Sequence, residues 1–237
     1  MIATYECFAL SVEAGIAHLQ LNRPDKANSL TRAFWSELPA AVDELSRSGQ
    51  VRAMVISAQG KVFCGGLDMQ MFSSAKEFHA ASAQEREMLQ LNLERMQDAL
   101  NALEKARFPV IAAVQGTCVG AGFDLIAACD FCFASDGAKF RIEETNVGMM
   151  ADLGVLQRLP RLIPAGVARY LALTGDTLNA ADAYSMGLLA KLFATPEELL
   201  DGAFAAARRI AERPPIAING IKRAMLYSRD HGVYESL

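Results

Sequence analysis

The spacing of hydrophobic positions changes along the chain, and the change separates strand-like from helix-like regions. Short apolar runs predict β-strands at residues 5–10, 15–21, 52–58, 110–114, 131–135 and 138–142. Apolar residues three and four positions apart predict helices at residues 30–48, 87–105, 154–162, 166–173, 180–186, 197–213 and 216–229. Pro39 is expected to kink or interrupt the first of these helices. This order predicts an α/β core followed by a helical C-terminal region.

A strand, a glycine-rich turn and a helical stretch occur twice, at residues 52–69 and 110–128, which indicates a repeated unit. Neither turn, VFCGGLD or TCVGAGFD, fits a dinucleotide-binding or P-loop pattern. Glycines between a strand and a helix let backbone N–H groups point outward, so two such turns could aim two donors at one oxygen. Close packing of strand on helix explains the same glycines, and spacing alone leaves both readings open.

The segment at residues 114–153 places three carboxylates among apolar or glycine-rich neighbours: Asp124, Glu144 and Asp152. A charged group in apolar surroundings is costly unless it is solvated or used. Asp124 is also compatible with a helix-dipole partner, and Glu144 with a solvated loop. Asp152 fits a plain surface role less well, because methionines and a leucine surround it.

Composition excludes several classes of function. The net charge of −4 argues against a nucleic-acid partner. An odd count of five cysteines in apolar runs predicts reduced, buried thiols. The most apolar window, residues 110–133, is interrupted by polar residues and glycines, so no membrane span is expected. No secretory signal is visible, so a cytoplasmic location is expected. The three histidines lack metal-ligand spacing, and no G-x-S-x-G is present, which disfavours metal and Ser-His-Asp chemistry.

Five motifs carry a family resemblance: LNRPDKANSL, VFCGGLDM, VQGTCVGAGFDLIAACDF, FRIEETNVGMMADLGVLQRLPRLI and TGDTLNAADAYSMGLLAKLF. Together they resemble the crotonase (enoyl-CoA hydratase/isomerase) superfamily, and the resemblance covers nearly the whole chain. It implies a crotonase-like spiral of repeated ββα units at residues 1–190 and a helical C-terminal region at 191–237. Chains of this family usually continue further, so a final helix is expected to be missing here.

Within the superfamily the acids discriminate between activities. Hydratases have a similar pattern, but they carry Glu at the position of Asp124 and a glycine-rich segment at the position of Asp152. The arrangement GFDL, RIEE and MADLGVLQRLP instead resembles the Δ3,5-Δ2,4-dienoyl-CoA isomerases. That resemblance implies a shift of the double bonds of a fatty dienoyl-CoA, with Asp152 as base, Glu144 as acid and Asp124 as a supporting carboxylate. The alternatives are an enoyl-CoA hydratase or single-bond isomerase, and a non-catalytic acyl-CoA-binding relative.

The resemblance also implies the remaining parts of the site. The backbone N–H groups of Leu67 and Ala121 would form an oxyanion hole; many relatives have Gly where Ala121 stands, but the N–H survives that change. Substrate and CoA contacts are expected at Arg23, Lys26, Ala27, Gly65, Gly66, Asp68, Met69 and Gly120. No metal or redox cofactor is implied, since coenzyme A is part of the substrate, and the expected assembly is a homo-trimer or homo-hexamer.

Overall fold

A computed structural model describes residues 2–73 and 82–237 of the chain. The polar segment that the sequence marks at 72–85 lies mostly outside the described residues. The strands are β1 (Ile2–Thr4), β2 (Phe8–Glu13), β3 (Ile16–Leu21), β4 (Ala53–Ala58), β5 (Val62–Cys64), β6 (Val110–Val114), β7 (Thr117–Val119), β8 (Phe131–Ser135), β9 (Lys139–Arg141), β10 (Leu178–Asn179) and β11 (Leu189–Phe193).

The helices are α1 (Phe34–Ser48), α2 (Gln70–Ser73), α3 (Ala83–Lys105), α4 (Ala121–Ala127), α5 (Val155–Leu162), α6 (Ala165–Thr174), α7 (Ala180–Ser185), α8 (Pro196–Ala211), α9 (Pro215–Ser228) and α10 (Val233–Ser236). Short 3₁₀ helices lie at Pro24–Lys26 and Glu144–Val147. Helix α3 begins with a capping box in which Ser82 and Glu85 exchange hydrogen bonds with each other's backbone N–H. None of the helices within the described ranges is long and apolar enough to cross a membrane.

Two sheets are built from repeated pairs of strands. The larger has the order β1-β2-β3-β4-β6-β8-β11, and the smaller has the order β10-β9-β7-β5. The successive pairs β4/β5, β6/β7 and β8/β9 each give one strand to the larger sheet and the next to the smaller one. Neighbouring repeats therefore pair in parallel in both sheets. This confirms the predicted α/β fold with repeated units.

The large sheet is covered on both faces, which explains why its central strands are continuously apolar. Along β4, Met54 and Ile56 pack into the main core, whereas Ala53 and Val55 face a second cluster beneath α8. All of β4 and β6 is buried. The five cysteines are buried free thiols, as predicted.

The structure differs from the predicted elements at several points, and it adds the short strands β1, β5 and β7, which the apolar runs do not predict. Strands β10 and β11 lie inside the stretch predicted to be all helix, and β11 pairs in parallel with β8. Along β11 only Leu189 is fully buried, so the strand has no alternating signal to detect. Helix α1 begins at Phe34 instead of residue 30, because Leu30 forms a bridge with Leu67, and it runs through Pro39 without interruption. Residue 190 lies inside β11, and α8 packs on the central strands.

Candidate active site

The two glycine-rich turns meet at one point of the molecule. A Cβ added to Gly66 would lie 3.2 Å from the carbonyl oxygen of Val119 and 3.7 Å from the backbone nitrogen of Ala121. A Cβ added to Gly120 would lie 3.8 Å from the Cα atom of Gly66. Both glycines have positive φ, +90° and +54°, in the region that disfavours other residues. The turns therefore touch through backbone that only glycine permits.

The first turn presents the N–H of Leu67 on its free side. Leu30 donates its N–H to the carbonyl of Gly66, and Asp68 donates its N–H to the carbonyl of Leu30, each at 2.9 Å. In an extended segment successive backbone groups point to opposite sides. Because Gly66 and Asp68 face Leu30, the intervening N–H of Leu67 points away from it.

A buried ion pair braces this turn. Asp68 is buried and pairs with Arg23 at 2.9 Å, and its other oxygen accepts the N–H of Gln70 at 3.0 Å. The Gln70 hydrogen bond, together with Arg23, holds the pKa of Asp68 below its usual range despite its burial. Arg23 also donates to the carbonyl of Ser29 at 2.6 Å. The ion pair thus ties the loop after β3 to the first glycine turn.

The second turn leads directly into α4, of which Ala121 is the first residue. The first N–H groups of a helix lie outside its own hydrogen-bond ladder, and none of the described residues accepts the N–H of Ala121, which can therefore bind a ligand oxygen. A Cβ on Gly122 would lie 2.7 Å from the Cβ of Cys64, which explains the glycine at that position by close packing. Of the two readings of these glycines, packing accounts for Gly122 and the geometry of two converging turns accounts for Gly66 and Gly120.

Asp124 lies in the first turn of α4 and is completely buried. One carboxylate oxygen accepts the backbone N–H of Val155 at 2.6 Å; the other has no hydrogen-bond partner within the described part of the chain. Burial, with the nearby charge of Glu144, raises the pKa of Asp124 to about 7. The aspartate is therefore a buried acid that titrates near neutral pH.

Glu144 begins the 3₁₀ helix after β9, and one of its oxygens lies 3.4 Å from the Cβ position of Gly120. Its other oxygen is buried and, among the described residues, unpartnered. Burial raises the pKa of Glu144, and the charge of Asp152 adds to the effect. Partial desolvation also raises the pKa of Asp152, although its side chain remains exposed to solvent. The structure thus brings the three predicted acids together beside the glycine turns.

The predicted CoA contacts lie along the same edge. Ala27 accepts the N–H of Gly65 at 2.8 Å, so the loop after β3 packs directly on the first turn. Lys26 is exposed at the end of the 3₁₀ helix, and Met69 is 73 % exposed. Arg23, in contrast, is engaged with Asp68 and is less available to a ligand than Lys26.

A network behind the acids has no counterpart in the sequence prediction. Arg158 on α5 makes two hydrogen bonds to Glu104 on α3, at 3.1 and 3.3 Å, and a third to Asn101 at 2.6 Å. Arg229, just beyond α9, also binds Glu104. The one available signal was the presence of Glu104 and Arg158 among apolar residues of amphipathic helices. Across the described ranges, no cluster of three His, Cys, Asp or Glu side chains could hold a metal ion.

Comparison with known proteins agrees with this geometry. The sequence matches the family described as Enoyl-CoA hydratase/isomerase over residues 11–232. The mitochondrial Delta(3,5)-Delta(2,4)-dienoyl-CoA isomerase of Pongo abelii is 40 % identical over 230 residues, spanning 96 % of this chain and 70 % of that protein. The peroxisomal enzyme of the same description from Arabidopsis thaliana is 37 % identical over 238 residues, spanning 99 % and 85 %.

A solved structure shares both the fold and part of the sequence. The crystal structure of an enoyl-CoA hydratase from Mycobacterium smegmatis superposes with a TM-score of 0.86 at 30 % identity, covering 98 % of this chain and 87 % of that one. The family match extends over nearly the whole sequence, and it includes both glycine turns and all three acids. The chain therefore belongs to the enoyl-CoA hydratase/isomerase family of enzymes.

Proposed function

We propose that this protein converts 3,5-dienoyl-CoA thioesters to 2,4-dienoyl-CoA thioesters. The observation that carries the proposal is the set of three acids, Asp124, Glu144 and Asp152, all with raised pKa values, beside two converging glycine turns. Carboxyl groups whose pKa values are raised by burial and by one another are candidates for acid and base roles in catalysis. Relatives whose names state this isomerisation support the same assignment.

In the proposed mechanism, the N–H groups of Leu67 and Ala121 bind the thioester oxygen. Loss of a proton from carbon 2 leaves an enolate conjugated with the diene, whose negative charge spreads over that oxygen and over carbons 2, 4 and 6. Two fixed donors stabilise this charge as it develops, and loss of one such donor typically costs about 3 kcal/mol of transition-state stabilisation.

The acids move the two protons. Asp152 takes the proton from carbon 2, and Glu144 in its protonated form delivers one to carbon 6. The double bonds move from positions 3 and 5 to positions 2 and 4, with no net change in atoms or electrons. The raised pKa of Glu144 suits a donor, because it keeps the group protonated closer to neutral pH. Asp124 supports the pair by fixing the backbone at Val155.

The CoA moiety would lie along the loop after β3 and the first glycine turn. Lys26 is exposed there and would contact a phosphate, whereas Arg23 acts mainly through Asp68. The proposed contacts also include Ala27, Gly65, Gly66, Met69 and Gly120. No metal or redox cofactor takes part in the proposed reaction.

Two further expectations accompany the proposal. We expect a homo-trimer or homo-hexamer, and the exposed apolar side chains of Ile216, Met225, Val233 and Tyr234 in the C-terminal helices are consistent with assembly. Analytical ultracentrifugation measures this directly. The cytoplasmic location stays a prediction, and the two relatives are named as mitochondrial and peroxisomal.

The first experiment follows ultraviolet absorbance during incubation with a 3,5-dienoyl-CoA, because conjugation of the diene with the thioester increases absorbance. We expect the wild type to produce this increase and Asp152→Asn to lower kcat by about a hundredfold to ten-thousandfold, the usual contribution of a general base. Asp201→Asn, an exposed aspartate on α8, is the matched control and should leave the rate unchanged.

The same samples distinguish the alternatives. A hydratase needs two acids that hold one water, and Asp124 is one methylene shorter than the glutamate that hydratases have there. If the wild type gives no absorbance increase with the 3,5-dienoyl-CoA but hydrates a 2-enoyl-CoA, the proposal is overturned in favour of a hydratase. Tight binding of both thioesters with no change in absorbance would indicate a non-catalytic binding protein.

A further inference from the structure

The short segment from Asp152 to Val155 connects an exposed loop to α5, and it is fixed through its backbone. The carbonyl of Asp152 accepts a hydrogen bond from the Gln97 side chain at 2.7 Å. The carbonyl of Leu153 accepts one from Arg158 at 3.3 Å, and the N–H of Val155 donates to Asp124 at 2.6 Å. Three of these four residues are therefore held by side chains from α3, α4 and α5.

Arg158 is itself held in one orientation. Its guanidinium spans Glu104 and Asn101, and the side chains of Arg158 and Glu104 are only 11 % and 13 % exposed. The absence of a side chain at Gly154 leaves room for this guanidinium, because a Cβ at Gly154 would lie 1.9 Å from an Nη atom of Arg158. Gly154 also has φ +120°, which other residues rarely adopt. Arg158 is thus a rigid donor toward the loop of Asp152.

The residues that hold this segment from α3 share one face of that helix. Gln97, Asn101 and Glu104 are spaced four and three residues apart, so their side chains point in the same direction. Gln97 reaches Asp152 directly, whereas Asn101 and Glu104 act through Arg158. One face of α3 therefore helps to hold Asp152 directly and Leu153 through Arg158, while Asp124 of α4 holds Val155.

We propose that Gln97 and Arg158 are positioning residues: they hold the backbone carbonyls of Asp152 and of the next residue, Leu153, so that the carboxylate of Asp152 meets carbon 2 of the substrate. Only the carbonyl oxygen of Asp152 accepts the hydrogen bond from Gln97, so the carboxylate remains available for proton transfer. Reacting groups must be placed within a fraction of an ångström, and a misplacement of about 1 Å can lower a rate about a hundredfold. The role in catalysis rests on the isomerase function proposed above.

The test replaces Gln97 with Met, which keeps the size and helix propensity but removes the donor. Gln90→Met is the matched control, since Gln90 lies on the same helix and bonds only to Glu94 within the described residues. We expect Gln97→Met to lower kcat with the dienoyl thioester by about tenfold or more while KM changes less than about twofold. Arg158→Lys, which cannot reach Leu153, Asn101 and Glu104 together, should lower kcat at least as much.

Amide hydrogen exchange gives a second readout that needs no substrate. Peptides covering residues 150–157 should exchange faster in Gln97→Met than in the wild type or Gln90→Met, with α8 and α9 unchanged. If the wild type does not isomerise the diene, the proposed function fails, but the exchange still reports whether Gln97 fixes the segment. Wild-type kcat together with wild-type exchange in Gln97→Met would overturn the inference. Faster exchange with an unchanged kcat would reduce Gln97 to a structural role and overturn it as well.

Discussion

Glu144 and Glu104 are both largely removed from water, yet their surroundings differ in one respect. Glu104 lies between Arg158 and Arg229; burial alone would raise its pKa, but the two arginines hold the pKa below its ordinary value. Glu144 faces other acids, and burial with the charge of Asp152 raises its pKa. The same kind of side chain thus has a lowered pKa in one region and a raised pKa in the other, and the neighbouring cations decide which.

The comparison extends to two aspartates of neighbouring elements. Asp124 leaves one buried oxygen without a partner among the described residues. Asp130, six positions later, pairs with the buried Lys222 at 2.7 Å and accepts the N–H of Val110 at 2.7 Å. Within the described residues Asp130 is paired with a cation and Asp124 is not, so an energetic cost of burying the charge remains at Asp124. Such a cost is typical of a functional site.

Removal of the fixed anion should have the largest effect on stability. Glu104→Ala leaves Arg158 buried without its partner, and loss of one member of a buried pair costs about 3–5 kcal/mol. We expect a fall of that size in the free energy of unfolding by urea at pH 7. Because the folded pKa of Glu104 is lowered, this contribution exists above its ordinary value of 4.5 and is lost as the pH falls through the folded pKa. Glu94→Ala, at an exposed position of α3, should change stability by less than about 0.5 kcal/mol.

Removal of a charge from the acid cluster should act in the opposite direction. Asp124→Asn keeps an oxygen that accepts the N–H of Val155 but cannot ionise. A rise of the pKa from 3.8 to about 7 corresponds to about 4 kcal/mol at 1.36 kcal/mol per unit. Because the folded pKa is raised, ionisation weakens the fold as the pH rises from about 4 to about 7.

We therefore expect the free energy of unfolding of Asp124→Asn at pH 8 to exceed that of the wild type by up to about 4 kcal/mol, so the variant unfolds at a higher urea concentration. The difference should shrink toward pH 4. Urea titrations of both proteins at several pH values measure it. A variant less stable than the wild type at pH 8 would show that the ionised Asp124 stabilises the fold, which would remove the contrast with Glu104.

The smallest effect is expected where a pair is formed at the surface. Arg47 and Asp43 lie four residues apart on α1 and pair at 2.9 Å, but their side chains are 79 % and 55 % exposed. Arg47→Ala should therefore change the free energy of unfolding by no more than about 0.5 kcal/mol. A loss as large as that in Glu104→Ala would mean that pairing, and not burial, sets the scale of these interactions.

The sequence alone predicted the features that depend on local pattern. The strand and helix repeats, the two glycine turns and the three acids follow from spacing and residue type, and the structure places the acids beside those turns. Strand β11 escaped prediction because it lies at the edge of a sheet and shows no alternation. The start of α1 was misplaced because Leu30, which fits the helical pattern, instead pairs with Leu67 of the first turn.

The sequence determined the fold class and the list of acids. Only the tertiary structure decided which of these acids have a cation beside them. The residues next to Glu104 in the sequence do not predict that it pairs with Arg158 and Arg229, which lie 54 and 125 residues further along the chain. The same holds for Gln97, which reaches Asp152 across 55 positions. The pKa of a carboxylate depends on solvent and on charges within a few ångströms, and packing of distant segments sets both.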